Sequence, residues 1–413
     1  MHPQPTAIRL GISIPTINRK DLLVEAVAAL VPQAAHFTKL LIIDNGHQQL
    51  AFDAPCICCV ESPENLGVAA SWNLGLRTLL ADPSVTHVMV LNDDVTLGSD
   101  QISTILSILE AHPDKLMFVG NYFWSVWILS RHGAESMEYE PGKYFDERFF
   151  PAYFEDNDFY YRFVSKHKER YLGDLEELAP FVKRNSMTIQ KDPSLNHGFS
   201  VNREYYIEKW GGMPGQEMRH PERGFETEFL YNRALTLADD IKEHLPVIRA
   251  YAEKCRHVTE FGAFAGATTW ALMMAKPHSL HCYDLLEAGK HVTMEAARKA
   301  DCELTLKKLN VLECLIDETD LLLIDTVGTY NQLWTELDRH AFRVQKYIII
   351  HGTKIHGYED EFPETELMLC RRGLCNAIMD FLEWHPEGKL WTVKETLAIK
   401  KGLTILKRLK KSV

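Results

Sequence analysis

The stretch from His87 to Val95 reads HVMVLNDDV, and it limits the possible folds more than any other. Its apolar, Val-rich start predicts a buried strand. The strand ends at Asn92-Asp93-Asp94. Side chains at the carboxyl end of a strand in an α/β sheet sit where ligands bind. Two adjacent acids are poor packing material there, because an unpaired buried charge is costly. Mg2+ or Mn2+ prefers oxygen ligands of this kind and would neutralise them. The other reading of the triplet is a solvated turn.

The chain before it repeats one theme. Ile8–Ile14 reads as a strand closed by Pro15-Thr16, then Asp21–Leu30 as an amphipathic helix with Asn18 or Asp21 as N-cap. Leu40–Ile43 is a second strand, closed by Asp44-Asn45-Gly46, a strong turn signal. Cys56–Val60 is a third, and its Cys56, Cys58 and Cys59 read as a Cys-rich core strand. Glu64–Leu80 carries Gly67 and small residues that predict a loop feeding a helix. Strands alternating with helices predict a parallel α/β sheet.

At 413 residues the chain exceeds one ordinary core, so two domains are expected, 1–228 and 229–413. A net charge of -12 argues against general nucleic-acid binding. Nine cysteines without CxxC spacing fit reduced thiols and a cytoplasmic setting. No run reaches transmembrane length, and the N-terminus has no apolar leader. The basic end LKRLKKSV reads either as a solvated tail or as a peripheral contact with an anionic membrane or glycolipid surface.

Five pieces together resemble the family 2 glycosyltransferases of GT-A fold. They are IPTINR (Ile14–Arg19), IIDNG (Ile42–Gly46), ENLGVAASWNLGL (Glu64–Leu76), LNDDV (Leu91–Val95) and YFEDNDFYYR (Tyr153–Arg162). The resemblance implies a nucleotide-sugar donor and a glycan or glycolipid acceptor. It places Pro15, Thr16 and Asp44 at the base and ribose, and Gly67 and Asn73 against the ribose or sugar. Asn92 stands where the family's DxD has its first acid, with Asp93 beside it, and Asp94 becomes the firmest ligand of a Mn2+ or Mg2+ ion. His197, in DPSLNHGFS, is the candidate that completes the metal shell; an exposed loop His is the alternative. Inverting transfer needs a base for the acceptor hydroxyl. The resemblance assigns it to Asp156, with Glu155 and Asp158 next; the plainer reading of these acids is a helix N-terminus. Tyr205, Tyr206 and Trp210 read equally as an acceptor wall or as core.

The second half opens, after the helical period of Leu230–Cys255, with HVTEFGAFAGATTW (His257–Trp270), and Asp284 closes the strand that follows. This resembles motif I of the class I S-adenosylmethionine-dependent methyltransferases, whose glycines let backbone approach the cofactor. The implied cofactor residues are Glu260, Gly262, Gly266 and Asp284. DLLLIDTVGTYNQL (Asp320–Leu333) and KYIIIHGTKIHG (Lys346–Gly357) extend the resemblance to the cephalosporin-hydroxylase-like branch. That branch usually carries His where this chain has Gly328 and Asp where it has Gly352. Asp325 and His351 remain as metal or active-site candidates, and His340 or His356 as substitutes. The expected fold is α/β, a GT-A domain followed by a Rossmann-like domain. The expected activity is metal-dependent glycosyl transfer. The second domain is expected either to O-methylate the glycan or to be an impaired cofactor-binding or interaction module.

Overall fold

The computed structural model describes residues 7–121, 123–179, 182–183, 198–263, 266–286, 290–300, 302–361 and 373–409. The chain divides into two compact units, Met1–Gly215 and Gln216–Val413. The division precedes the 228/229 boundary expected from sequence. Phe225 and helix Thr227–Leu237 are the reason, because Phe225, Leu230, Tyr231 and Ala234 join the second unit's core.

The first eight strands of the first unit are β1 (Leu10–Thr16), β2 (Lys39–Asp44), β3 (Ile57–Glu61), β4 (His87–Leu91), the short β5 (Val95–Thr96), β6 (Met117–Gly120), β7 (Val126–Ser130) and β8 (Tyr171–Leu175), and a ninth follows among the described residues. Seven of them form one sheet in the order β3-β2-β1-β4-β7-β6-β8. β1 to β4 run parallel, and β7 is antiparallel to both β4 and β6. β5 pairs with β9 (Val182–Lys183) in a separate ribbon. Helix Lys20–Leu30 buries Leu23, Val27 and Leu30 on one face of the sheet. Helix Gly67–Leu80 buries Trp72, Leu76 and Leu79 on the other. Both faces are covered, so the central strands read as continuous apolar runs. β3 is an edge strand. Cys56 and Cys58 are half-buried there and Cys59 is exposed, which corrects the core-strand expectation. All eight described cysteines are free thiols. Neither Asn18 nor Asp21 caps the first helix; Arg19 occupies the N-cap.

The second unit carries β10 (His257–Phe261), β11 (Ser279–Asp284), β12 (Glu303–Lys308), β13 (Thr319–Ile324), β14 (Val344–His351), β15 (Trp391–Leu397) and β16 (Leu403–Arg408). Their order is β12-β11-β10-β13-β14-β16-β15, with β16 antiparallel to its neighbours. Five parallel strands and a closing antiparallel hairpin make the Rossmann-like arrangement expected from motif I. The helical stretch before β10 is two helices, Thr227–Leu237 and Leu245–Ala252. No described helix is long and apolar enough to cross a membrane.

Candidate functional site

In the first unit the strand ends converge. Parallel register sets Thr16 of β1 beside Asp44 of β2. Pro15 lies beyond Ser13, the last β1 residue paired with β4, where a ring without an N–H is tolerated. The Asp44 carboxylate accepts from the Gly46 N–H at 2.9 Å, the Gln48 N–H at 2.7 Å and the Gln48 side-chain amide at 3.0 Å. That amide also donates to Thr16 Oγ1 at 3.2 Å, and Thr16 Oγ1 donates to Asp93 Oδ2 at 2.8 Å. Four side chains thus tie together the ends of β1, β2 and β4. Gln48 has no motif signal, and the sequence reading missed it.

β4 stops because the chain turns. The Asn92 N–H donates to the Ser125 carbonyl and the Val95 N–H returns to the Asn92 carbonyl. The turn buries Asp93 and leaves Asn92 and Asp94 half-buried. Burial, with the charge of Asp94 added, pushes the Asp93 carboxyl up to about 7 against the opposing effects of Thr16, Arg19 and the Ile17 N–H. Arg19 is a second residue the sequence reading passed over. It is 2% exposed, donates from Nε and Nη2 to Asp21 at 3.1 Å each, and keeps Nη1 without a partner among the described residues. The hydrogen bond it donates to Asp21 raises its pKa most, and the charges of Asp93 and Asp94 add to that. A pair of repelling acids next to a fixed guanidinium is a donor set suited to a cation and a phosphate together. Among the described residues no three His, Cys, Asp or Glu side chains group as a metal site. His197 lies outside the described residues.

Two expected donor contacts turn inward. Asn73 is fully buried, and all four of its amide bonds are used. Nδ2 donates to the Phe145 carbonyl and Glu147 Oε1 at 2.9 Å each, while Oδ1 accepts from the Tyr144 and Phe145 N–H groups at 3.0 and 2.9 Å. It fastens the 144–147 loop and has no bond left for a sugar. Gly67, at φ +74°, makes its close approach to the protein itself. An added Cβ would lie 2.8 Å from the Phe150 ring and from the Pro151 carbonyl.

The acids of YFEDNDFYYR open helix Glu155–His167. Tyr153 and Phe154 precede them at φ 80° and 72°, a strained entry that aims the first turn. Glu155 is buried with Oε2 lacking a hydrogen-bond partner among the described residues, and Asp156 is half-buried with Oδ1 accepting the Asn157 N–H. Burial raises both carboxyls, and the Asp156 charge raises Glu155 further. Asp158 is different. It is fully buried and accepts from Arg162 Nε at 2.9 Å, Trp210 Nε1 at 2.9 Å and Lys209 Nζ at 2.5 Å. These partners leave it no role as a base. Replacing Asp158 by Ala takes the carboxylate from Arg162 and leaves Lys209 to Asp146, and is expected to cost about 3–5 kcal/mol, read as a lowered urea midpoint of the first unit. A loss below about 1 kcal/mol would mean that the pair is solvated. Tyr206 and Trp210 are core, packed with Phe149 and Phe154. Tyr205 is half-buried and donates to Asp146 at 2.8 Å. The acceptor-wall reading therefore keeps at most Tyr205.

In the second unit Glu260 is completely buried at the end of β10. Its carboxylate accepts from the Thr268 and Thr269 hydroxyls and from the Cys282 thiol at 3.1 Å. Burial raises its pKa against these donors. Glu260 therefore fixes helix Ala267–Met274 onto β10 and β11 and keeps no free oxygen for a cofactor. Gly262 and Gly266 sit at φ +84° and +88°. A Cβ on Gly262 would overlap the Asp325 carbonyl oxygen and lie 2.7 Å from its carbon. Gly262→Ala should lower the stability of the second unit by about 1–3 kcal/mol from the backbone strain alone, with the steric overlap adding to it. An unchanged denaturation curve would contradict the close approach. Asp284 ends β11, half-buried, and accepts the Leu286 N–H at 2.7 Å.

Asp325 follows β13, and His351 ends β14 beside it. Asp325 Oδ1 lies 2.7 Å from His351 Nδ1. The two metal or active-site candidates are thus brought together, carboxylate against imidazole. His340 is core, its Nε2 on the Val311 carbonyl at 2.9 Å. The half-buried His356 ring fills the space beside Gly328. A Cβ there would lie 2.7 Å from its Cγ, and one on Gly352 would lie 3.6 Å from its Cδ2.

Residues 12–167 match the family model described as glycosyl transferase family 2. No curated protein matches the chain. The S. aureus TarS 1-349 structure is similar at 11% identity and TM-score 0.37, over 66% of this chain and 82% of that one. The 16S rRNA methylase RmtB is similar at 14% identity and TM-score 0.31, over 52% and 83%. N-methyltransferase NodS from Bradyrhizobium japonicum WM9 is similar at 11% identity and TM-score 0.31, over 42% and 98%. The fold assignments rest on the strand orders given above.

Proposed function

We propose, from the premise that residues 12–167 are a family 2 glycosyltransferase domain, that this chain moves a sugar with inversion from a nucleotide-sugar donor to a glycan acceptor. The observation that carries the reading is the chain of hydrogen bonds from Asp44 through Gln48 and Thr16 to Asp93, beside Arg19 and Asp94. Pro15, Thr16, Asp44 and Gln48 would receive the base and ribose. Arg19 would meet the diphosphate. Asp94, with His197, would hold a Mn2+ or Mg2+ ion that neutralises charge on the departing nucleoside diphosphate. Asp156 takes the proton of the acceptor hydroxyl. Its raised pKa brings it closer to neutral pH, where a general base is most effective, and its activity is lost as pH falls through that raised value.

The second unit, on the same reading, binds S-adenosylmethionine at the Gly262–Gly266 turn, with Asp284 taking the ribose hydroxyls. The two positive-φ glycines, one against the Asp325 backbone, support a close backbone approach of this kind. Bound there, the cofactor supplies an electrophilic methyl group. The free thiols support the cytoplasmic setting. A screen of nucleotide-sugar hydrolysis with Mn2+ tests the first unit. Turnover of one donor is the expected result; binding and turnover of none would overturn the reading. Calorimetric titration with S-adenosylhomocysteine tests the second.

A further inference from the structure

We infer that Asp325 and His351 form an acid–base dyad that accepts the hydroxyl proton during methyl transfer from a sulfonium cofactor to an alcohol acceptor. The inference rests on the cofactor reading of the second unit just given.

The dyad follows from topology. β13 and β14 are parallel neighbours, paired from Leu321↔Tyr347 to Ile324↔Ile350. Asp325 and His351, each one residue further on, therefore lie side by side at the carboxyl edge of the sheet. This is the edge where open α/β sheets bind ligands. Their 2.7 Å contact joins the carboxylate to Nδ1. An ionised carboxylate only accepts, so Nδ1 carries the proton and Nε2 presents a lone pair. His351 is 6% exposed, and its Nε2 has no hydrogen-bond partner among the described residues. A buried ring nitrogen without a partner is costly unless something fills the role. Gly352, at φ +82°, follows directly, and a Cβ there would meet Leu374 Cδ1 at 3.4 Å and His356 Cδ2 at 3.6 Å.

The neighbours agree with a base at this point. His244 packs edge-on to His351 at 5.4 Å, and burial lowers its pKa. Asp240 also acts on His351. Burial opposes its ionisation, but the Lys401 hydrogen bond prevails and holds its carboxyl below the usual range. Among the described residues Glu243 acts on His244, and Asp325 acts on Glu260. The imidazolium formed on proton uptake would face two carboxylates, Asp325 and Asp240. In the step, a new bond joins the acceptor oxygen to the methyl carbon while the methyl–sulfur bond breaks. Its electron pair stays on sulfur, which leaves as a neutral thioether. The hydroxyl proton goes to His351 Nε2.

The test uses the full chain. Wild type, Asp325→Asn and His351→Gln are titrated calorimetrically with S-adenosylhomocysteine. They are then assayed with methyl-tritiated S-adenosylmethionine on the glycosylated product of the first unit and on free hexoses. Long-range proton–nitrogen NMR reports the His351 tautomer. We expect thioether affinity within about twofold in all three proteins, and label transfer lowered about 10²–10⁴-fold in His351→Gln, the range of a general base. We expect the wild-type ring as the Nδ1–H tautomer and a shift toward Nε2–H in Asp325→Asn. Binding without label transfer in wild type, or an Nε2–H tautomer there, would overturn the dyad and leave the cofactor reading intact. Absence of thioether binding in wild type would overturn the cofactor reading, and the dyad with it.

Discussion

Asp156→Asn is expected to lower glycosyl transfer by about 10²–10⁴-fold, the usual contribution of a general base, while nucleotide affinity stays near wild type. Asn keeps the shape and the hydrogen bond from the Asn157 N–H, so the first turn of the helix should persist. It cannot accept a proton. Rate and affinity separate because Asp156 opens helix Glu155–His167, whereas the proposed nucleotide contacts lie at the ends of β1, β2 and β4. Steady-state transfer beside calorimetric binding of the nucleoside diphosphate checks this. Unchanged transfer would move the base to Glu155, whose buried Oε2 has no partner among the described residues. It would not move it to Asp158, which Arg162, Lys209 and Trp210 already occupy.

The second large effect is at Asp94. Asp94→Ala is expected to abolish the stimulation of donor turnover by Mn2+ and to leave a rate close to that of wild type in EDTA. Asp93 is not a ready replacement, because it is buried against Thr16 and its carboxyl is pushed up to about 7 by burial first. Loss of the Asp94 carboxylate from so small a set of oxygen ligands should be severe. Full Mn2+-stimulated activity in Asp94→Ala would refute the metal assignment. Residual nucleotide binding in EDTA is expected through Arg19, whose charge does not depend on the ion.

Much of this protein was legible in its sequence. Short apolar runs ending in Thr16, Asp44, Asp94, Glu260, Asp284 and Asp325 marked strands and their polar ends, because burial on both faces of a parallel sheet imposes such runs. The glycines of motif I were legible for a similar reason. Only a residue without Cβ accepts φ +84° against the Asp325 backbone.

What a polar or aromatic side chain does at those ends was decided only by tertiary structure. Asn73 and Asp158 both sit in motifs that the resemblance ties to function, yet each is consumed by distant partners. Asn73 bonds Glu147, 74 residues on, and Asp158 bonds Trp210, 52 residues on. Glu260 is spent in the same way on Cys282 and two threonines. Arg19, Gln48 and the Asp325–His351 pair gained importance by the same route, since strand order brings together groups that the chain keeps apart. Periodicity reports local burial, a property of neighbouring residues. Whether a buried polar group is satisfied or left available depends on which strand lies next to it. In this protein that choice was made by the orders β2-β1-β4 and β10-β13-β14.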